Sequence, residues 1–380
     1  MSDASVPTVL IAGGGTAGHV LPGIAVARAL EARGLDRDRV LFVGAERGIE
    51  ARLVPEAGYE VVLLPGRGLQ RRLTWDNVVA AIGLVRAVGR SIGLVRRRRP
   101  EVVLAVGGFA SLAGSLAALV WRVPVVVAEQ NARAGAVNRL TGRWARACAV
   151  AFAGTDLPEQ VVTGNPVRDE ILRAAEGRDQ VAARATLGVP DGRTLLVVFA
   201  GSLGARSVNR AVWDVLDRWS DRSDLAVYHV VGERDHDQRP ASARELESDP
   251  APEGLWYRSV AYEAHMEVVL EAADLALCRS GGTTVAELAV VGVPAILVPL
   301  PIATRDHQRA NAAALVDAGA ATLVDDADVT ADVVAEIVES WVADGSLPDR
   351  ARAARALGRP DAAAAVAELV EEVAAGGRTR

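Results

Sequence analysis

Short apolar runs followed by helical patterns punctuate the chain from end to end. The first half carries "TVLIA", "RVLFVG", "EVVLLP", "EVVLAV", "VPVVVA" and "ACAVAF"; the second carries "TLLVVFA", "LAVYHVV", "LALC", "VPAILVP" and "ATLV". A strand that faced water on one side would alternate polar with apolar residues. These do not, so they predict parallel sheets covered on both faces by helices. Each half reads as a doubly wound, Rossmann-like α/β domain. The halves also repeat one another, with a glycine-containing turn between strand and helix in both "TVLIAGGGTAGHVLPGIAV" and "TLLVVFAGSLGARSVNRAV".

At 380 residues the chain is long enough for two domains, each with its own core. The rhythm breaks around "TGNPVRDEI", residues 163–171, which sets expected domains at 1–164 and 165–347. Residues 348–380 are rich in Ala, Arg and Glu and read as helices able to pack on either domain, including back on the N-terminal one. Residues 102–121 carry no charge and are long enough to cross a bilayer. Gly107, Gly108, Ser111, Gly114 and Ser115 divide them, however, into a strand, a loop and a helix. The opening "MSDASVPTVLIAGGG" has no basic segment followed by an apolar one, so no secretory signal is expected.

A net charge of −6 gives no global support for binding nucleic acid. All 42 basic residues are arginine. Without lysine, Schiff-base chemistry, pyridoxal phosphate attachment and the Walker phosphate-binding loop are excluded. Cys148 and Cys278 both lie in apolar runs and read as buried free thiols of a reducing compartment.

Gly13, Gly15 and Gly18 stand at the G-x-G-x-x-G spacing of dinucleotide-binding turns. Such a turn brings backbone N–H groups and a helix N-terminus to an anion, which calls for phosphate without specifying NAD. The first acid after the second strand, Glu46, lies too far along for the usual ribose contact. His19, in the first turn of the following helix, is either a structural histidine or a general base. Glu129 and Asn131 of "AEQN" follow a strand, where open α/β sheets bind ligands, and turn chemistry is the plainer alternative. Gly281-Gly282 offers a second amide nest, with Glu287 on the next helix either complementing its dipole or holding a ribose. His307 and Gln308 open a later helix and are able to read sugar hydroxyls. Three Asp-x-Asp triplets, "DRD", "DHD" and "DAD", read as solvated loops rather than metal ligands.

Taken in order, "GGGTAGHVLPGIAVA", "GGFAS", "VAEQNARAGAVNR", "VTGNPVRDEI", "GSLGARSVN", "CRSGGTTVAELAVVGVPAILVP" and "DHQRANAAALVDAGAA" resemble the signature segments of the MurG family. These enzymes transfer N-acetylglucosamine (GlcNAc) from UDP-GlcNAc to undecaprenyl-pyrophosphoryl-MurNAc-pentapeptide (lipid I) in peptidoglycan synthesis. The resemblance spans residues 8–325. It implies a GT-B architecture, two Rossmann-like domains facing a cleft, and an inverting reaction with no catalytic metal or organic cofactor. Carried over by position, it sets Arg168 and Ser202 near the donor diphosphate, Glu287 on the ribose and Gln308 on the GlcNAc hydroxyls, with Gly204 and Thr284 also binding substrate. Thr16, Ala17, Gly18 and Asn131 would reach the donor from the other domain, and His19 with Glu129 would face the acceptor as catalytic groups. The chain departs from the family at Ala17, Phe109 and Leu203, where glycine, tyrosine and glutamine are usual. Phe109 has no hydroxyl to offer, and Glu263 stands where relatives pack an aliphatic side chain on uracil.

A polyprenyl acceptor also implies a peripheral enzyme at the cytoplasmic face of the membrane, in company with other cell-wall synthesis proteins. Between Arg67 and Arg99 the chain holds nine arginines against the single acid Asp76. Trp75, Val79 and Ile82 fall at helical spacing beside Arg71 and Arg72, a combination suited to an anionic leaflet or, alternatively, to a core helix with a solvated end. Rival readings of the same residues are a UDP-sugar epimerase or glycolipid synthase on this scaffold, a nicotinamide oxidoreductase using Gly13, Gly15 and Gly18, and a non-catalytic nucleotide-binding protein.

Overall fold

The computed structural model describes residues 9–66, 75–201, 204–248 and 253–377. Two compact units emerge: one comprises the chain up to Arg168 together with the segment from Arg359 onward, the other Asp169–Gly358. Among the described residues, the first unit has a seven-stranded parallel sheet of β1 (Val9–Gly13), β2 (Val40–Ala45), β3 (Glu60–Leu64), β4 (Val102–Gly107), β5 (Val125–Glu129), β6 (Ala147–Val150) and β7 (Gln160–Val162). Its order is β3-β2-β1-β4-β5-β6-β7. The second unit has β8 (Thr194–Phe199), β9 (Leu225–Val230), β10 (Trp256–Val260), β11 (Leu275–Cys278), β12 (Ala295–Leu297) and β13 (Ala321–Leu323), also parallel, in the order β10-β9-β8-β11-β12-β13.

All eleven apolar runs became strands, and the pleat explains why none of them alternates. Val9 and Ile11 of β1 enter one core with Leu104, Val126 and the helix Ala17–Ala32. Leu10 and Ala12 enter another with Val103, Val127 and the helix Phe109–Trp121. Two strands were not evident in the sequence, β7 and β10, and both are sheet edges. β7 is exposed along its length and β10 is only partly buried, so neither shows an unbroken apolar run.

The uncharged stretch 102–121 resolves into β4 and the helix Phe109–Trp121, and no described helix is long and apolar enough to cross a membrane. The helix Leu347–Ala356 lies in the second unit. The helix Ala362–Gly377 returns to the first, where Val366, Ala367, Val370 and Ala374 share a core with Ile24, Ala27 and Leu30. Burying each of those valines contributes about 1.5–3 kcal/mol. Both cysteines are free and buried, and burial pushes both thiols up, Cys148 to about 11.

One buried group in the second unit ties stability to pH. His229 of β9 is fully enclosed, with Nε2 3.0 Å from the Asn209 Oδ1 and Nδ1 3.2 Å from the Tyr257 hydroxyl. The amide oxygen only accepts, so Nε2 carries the proton and Tyr257 donates to Nδ1. Burial pushes this imidazole down from 6.5 to about 3. The folded form therefore keeps it neutral where the unfolded chain binds a proton. Its contribution is intact above about pH 6.5 and is lost at ~1.4 kcal/mol per pH unit from there down to about pH 3. Asp224 and Asp235, held low chiefly by their arginine partners, add slope of the same sign. The test is thus a difference: His229→Gln should lose about one proton of slope in urea-unfolding free energy between roughly pH 6 and pH 4. Equal slopes in variant and parent would contradict the assignment.

Candidate active-site residues at the carboxyl end of each sheet

In each sheet the strand order reverses at one point, between β1 and β4 in the first unit and between β8 and β11 in the second. Loops leaving neighbouring strands diverge there to opposite faces and open a crevice, the usual ligand site of such sheets.

At the first reversal, β1 runs into Gly14 and Gly15 and then into the helix Ala17–Ala32, with Thr16 as its N-cap. Thr16, Ala17, Gly18 and His19 thus share the first turn. The imidazole Nδ1 of His19 lies 3.2 Å from the Gly14 carbonyl oxygen and 3.3 Å from the Thr16 hydroxyl. A carbonyl oxygen can only accept, so Nδ1 bears the proton and Nε2 is the basic nitrogen of the neutral ring. The ring packs against the end of β4, where a Cβ on Gly107 would come within 2.9 Å of Nε2. Gly107 itself has φ +103°, a backbone state that suits glycine.

The loop is held from beneath by a residue the sequence reading passed over. Glu50, 1% exposed, accepts from Gly15 N–H at 2.8 Å and from Ala45 N–H at 2.7 Å. A Cβ on Gly14, Gly44 or Gly48 would overlap this side chain, so the three glycines form its cage. The acid sought for a ribose after β2 is present five residues beyond the strand, but it points inward.

Glu129 ends β5, two strands from β1. Its Oε1 accepts from the backbone N–H and side-chain amide of Asn131 at 3.0 and 3.1 Å. Its Oε2 accepts from Gly135 N–H and the Asn138 amide, both at 2.9 Å. Four donors on one buried carboxylate fix the course of the loop that carries Asn131.

In the second unit, Gly204 (φ +71°) leaves no room for a side chain against the Val231 carbonyl, which accepts from the Asn209 amide at 2.9 Å. Ser202 and Leu203 lie outside the described residues. Thr284 and the buried Glu287 stand on the helix Gly282–Val291 that follows β11. Its entry turn is braced by Asn311, whose amide donates to the Ser280 carbonyl at 3.1 Å. Arg279 donates to the carbonyls of Val298 and Pro299, each at 3.1 Å, and pairs with Asp326 at 2.6 Å, binding together the ends of β11, β12 and β13. Gln308 accepts from Leu300 N–H through Oε1 at 2.8 Å, which turns its NH₂ into the available donor. Glu263 accepts from the Tyr228 hydroxyl at 2.6 Å and from His265 N–H at 2.7 Å. Arg168 stands just before the helix Asp169–Glu176, where the chain passes from the first unit into the second.

In two of the Asp-x-Asp triplets the first aspartate is not solvated, while the second, Asp237 or Asp328, is exposed as expected. Asp235 of "DHD" is buried between Arg234 and the Asn209 amide, and Asp326 of "DAD" is engaged by Arg279 and Ser207. Apart from the adjacent Arg234, their partners Asn209, Arg279 and Ser207 come from elements distant in sequence, so the triplet pattern alone carried no sign of them.

On the basic stretch, Arg71 and Arg72 lie outside the described residues, as do the side chains of Trp75 and Val79. Ile82 is 57% and Val85 72% exposed on the helix Trp75–Arg98. The helix Phe109–Trp121 packs against it and exposes Leu119, Val120 and Trp121. Trp121 donates from its indole to the Ile92 carbonyl at 3.0 Å and lies under the Arg96 guanidinium at 5.8 Å. It was not singled out in the sequence, although it closes the uncharged run.

Comparison with known proteins bears directly on this arrangement. Residues 9–150 match the glycosyltransferase family 28 N-terminal domain and residues 195–367 its C-terminal domain. A protein of Desulforudis audaxviator is 37% identical over 97% of this chain and 99% of its own length. One of Alkalilimnicola ehrlichii is 42% identical over 96% and 99%. Both are named UDP-N-acetylglucosamine–N-acetylmuramyl-(pentapeptide) pyrophosphoryl-undecaprenol N-acetylglucosamine transferase. The crystal structure of Acinetobacter baumannii MurG superposes with a TM-score of 0.75 at 28% identity, covering 96% of this chain and 99% of that one. A UDP-GlcNAc 2-epimerase from Neisseria meningitidis shares the fold alone, with a TM-score of 0.67 at 13% identity and coverage of 96% and 99%. With two Rossmann-like units of GT-B type and this identity from end to end, the chain belongs to the MurG family of glycosyltransferases.

Proposed function

We propose that this chain transfers GlcNAc from UDP-GlcNAc to the MurNAc 4-hydroxyl of undecaprenyl-pyrophosphoryl-MurNAc-pentapeptide, inverting the anomeric carbon. The observation that carries the reading is identity of 37–42% over 96–98% of the chain to relatives whose name states both donor and acceptor.

In this scheme His19 Nε2 takes the proton of the 4-hydroxyl as that oxygen bonds to C1 of GlcNAc. The bond from C1 to the β-phosphate oxygen breaks, and UDP leaves with the electron pair. Charge growing on the diphosphate is met by Arg168, by Ser202, by the backbone at Gly204, and by the N-terminus of the helix that carries Thr284. Glu287 holds the ribose hydroxyls, and the Gln308 NH₂ donates to the sugar. Thr16, Ala17, Gly18 and Asn131 complete the donor contacts. Glu129, with all its acceptor positions engaged, serves by holding Asn131 rather than by moving a proton. The scheme uses neither a metal nor an organic cofactor. Against a nicotinamide enzyme stands Glu50, whose carboxylate already takes the Gly15 N–H that a pyrophosphate would use.

The same reading makes the protein peripheral to the cytoplasmic face of the membrane, docking through the helix Trp75–Arg98. Exposed Ile82, Val85 and Trp121, with Arg96 to Arg99 at the helix end, suit an anionic surface, each near-surface cation contributing about 1 kcal/mol.

His19→Ala should lower kcat by about 10²–10⁴-fold while the KM for UDP-GlcNAc moves by no more than about two-fold. Undiminished turnover would remove the imidazole from the reaction. Glu287→Gln should instead weaken donor binding by roughly 10–100-fold, read by calorimetry with UDP-GlcNAc and with NADH as the comparison ligand. Heat from NADH alone would overturn the transferase reading. Replacing Arg96 to Arg99 and Trp121 by glutamine should reduce co-sedimentation with anionic vesicles and leave turnover of a water-soluble acceptor analogue unchanged. Equal sedimentation would refute the docking surface.

A further inference from the structure

Glu50 and His19 meet the same peptide group from opposite sides. The C=O of Gly14 and the N–H of Gly15 belong to one planar trans unit, so they point in opposite directions. The N–H donates to Glu50 Oε2 at 2.8 Å, and the carbonyl oxygen accepts from His19 Nδ1 at 3.2 Å. A carboxylate drawing on the N–H polarises the amide and makes its oxygen a stronger acceptor. That oxygen then holds the imidazole in the tautomer with Nε2 unprotonated and steadies the imidazolium once Nε2 has gained a proton. In serine hydrolases an acid does this by touching the imidazole directly. Here a single peptide plane stands between the two groups.

We propose that Glu50 is a positioning residue for the transfer reaction, acting on His19 through the Gly14–Gly15 peptide. The inference rests on the reading of His19 as the base. No proton reaches Glu50 at any stage: the acceptor hydroxyl proton passes to Nε2, while Nδ1–H and the Gly15 N–H keep their partners. Three features mark the arrangement as built. Glu50 is buried, its second oxygen is tied to Ala45 N–H, and Gly14, Gly44 and Gly48 leave space that no other residue type would leave. Thr16, 3.3 Å from Nδ1, fits the same tautomer, since its hydroxyl accepts from Nδ1–H alongside the Gly14 oxygen.

The chain has five histidines, few enough for ¹⁵N-histidine NMR to assign each ring. The wild-type protein should show His19 protonated at Nδ1 and bare at Nε2, the less common tautomer of a free imidazole. Glu50→Gln keeps the volume but gives only one acceptor to two N–H groups. It should lower kcat about 10–100-fold, change the KM for UDP-GlcNAc by less than about two-fold, and shift His19 toward the Nε2–H tautomer. The Glu50→Gln/His19→Ala double variant should be no slower than His19→Ala alone. An Nε2–H ring in the wild type, full kcat in a folded Glu50→Gln variant, or losses that multiply in the double variant would each overturn the proposal. If Glu50→Gln does not fold, the wild-type tautomer decides. A fully active His19→Ala would instead refute the base assignment itself, so the two failures are told apart.

Discussion

Parallel strands cannot be joined by tight turns. Every strand of both sheets must therefore feed a connection that crosses a face and returns, so all the strand-to-helix bends gather at one edge of each sheet. The reversals at β1/β4 and β8/β11 then separate two of those bends and leave space between them. Apart from Arg168 at the passage between the units, the described residues assigned to chemistry follow from this: Thr16 to His19 after β1, Asn131 after β5, Gly204 after β8, Thr284 and Glu287 after β11 and Gln308 after β12.

Bends rich in glycine are entropically costly and carry many unpaired backbone groups. Both units meet that cost with buried polar side chains rather than with apolar packing. Glu50 takes Gly15 N–H, Glu129 takes Asn131 and Gly135 N–H, Asn209 fixes the Val231 carbonyl against Gly204, and Asn311 fixes Ser280. Such groups are expensive when half satisfied and rigid when complete. They leave the outward face of each bend organised before any substrate arrives, which is what electrostatic stabilisation of a leaving diphosphate requires.

The architecture was legible because strands covered on both faces have no polar alternation to blur them. β7 and β10 escaped for the opposite reason, being edges with solvent on one side. Family motifs located the bends, since those residues sit in contiguous segments. The props beneath the bends were not legible. Glu50 bonds a glycine thirty-five positions away, and Asp235 bonds the amide of Asn209 on the helix Arg206–Trp219. A charge reads as solvated until the fold supplies a donor from elsewhere. Glu129 was visible as a residue of interest, but its four donors, and with them its holding role, belong to the three-dimensional loop.

The return of the helix Ala362–Gly377 to the first unit has a bearing on how the polypeptide matures. The second unit is one uninterrupted span, whereas the first is assembled from both ends of the chain. During synthesis the seven-stranded sheet emerges early, yet Ile24, Ala27 and Leu30 wait for Val366 and Val370 to cover them. The middle of the protein can settle while the beginning still shows a greasy stripe to its surroundings. On the ribosome, the portion made first is thus the portion finished last, and chaperones have their longest opportunity at a surface that the mature enzyme hides.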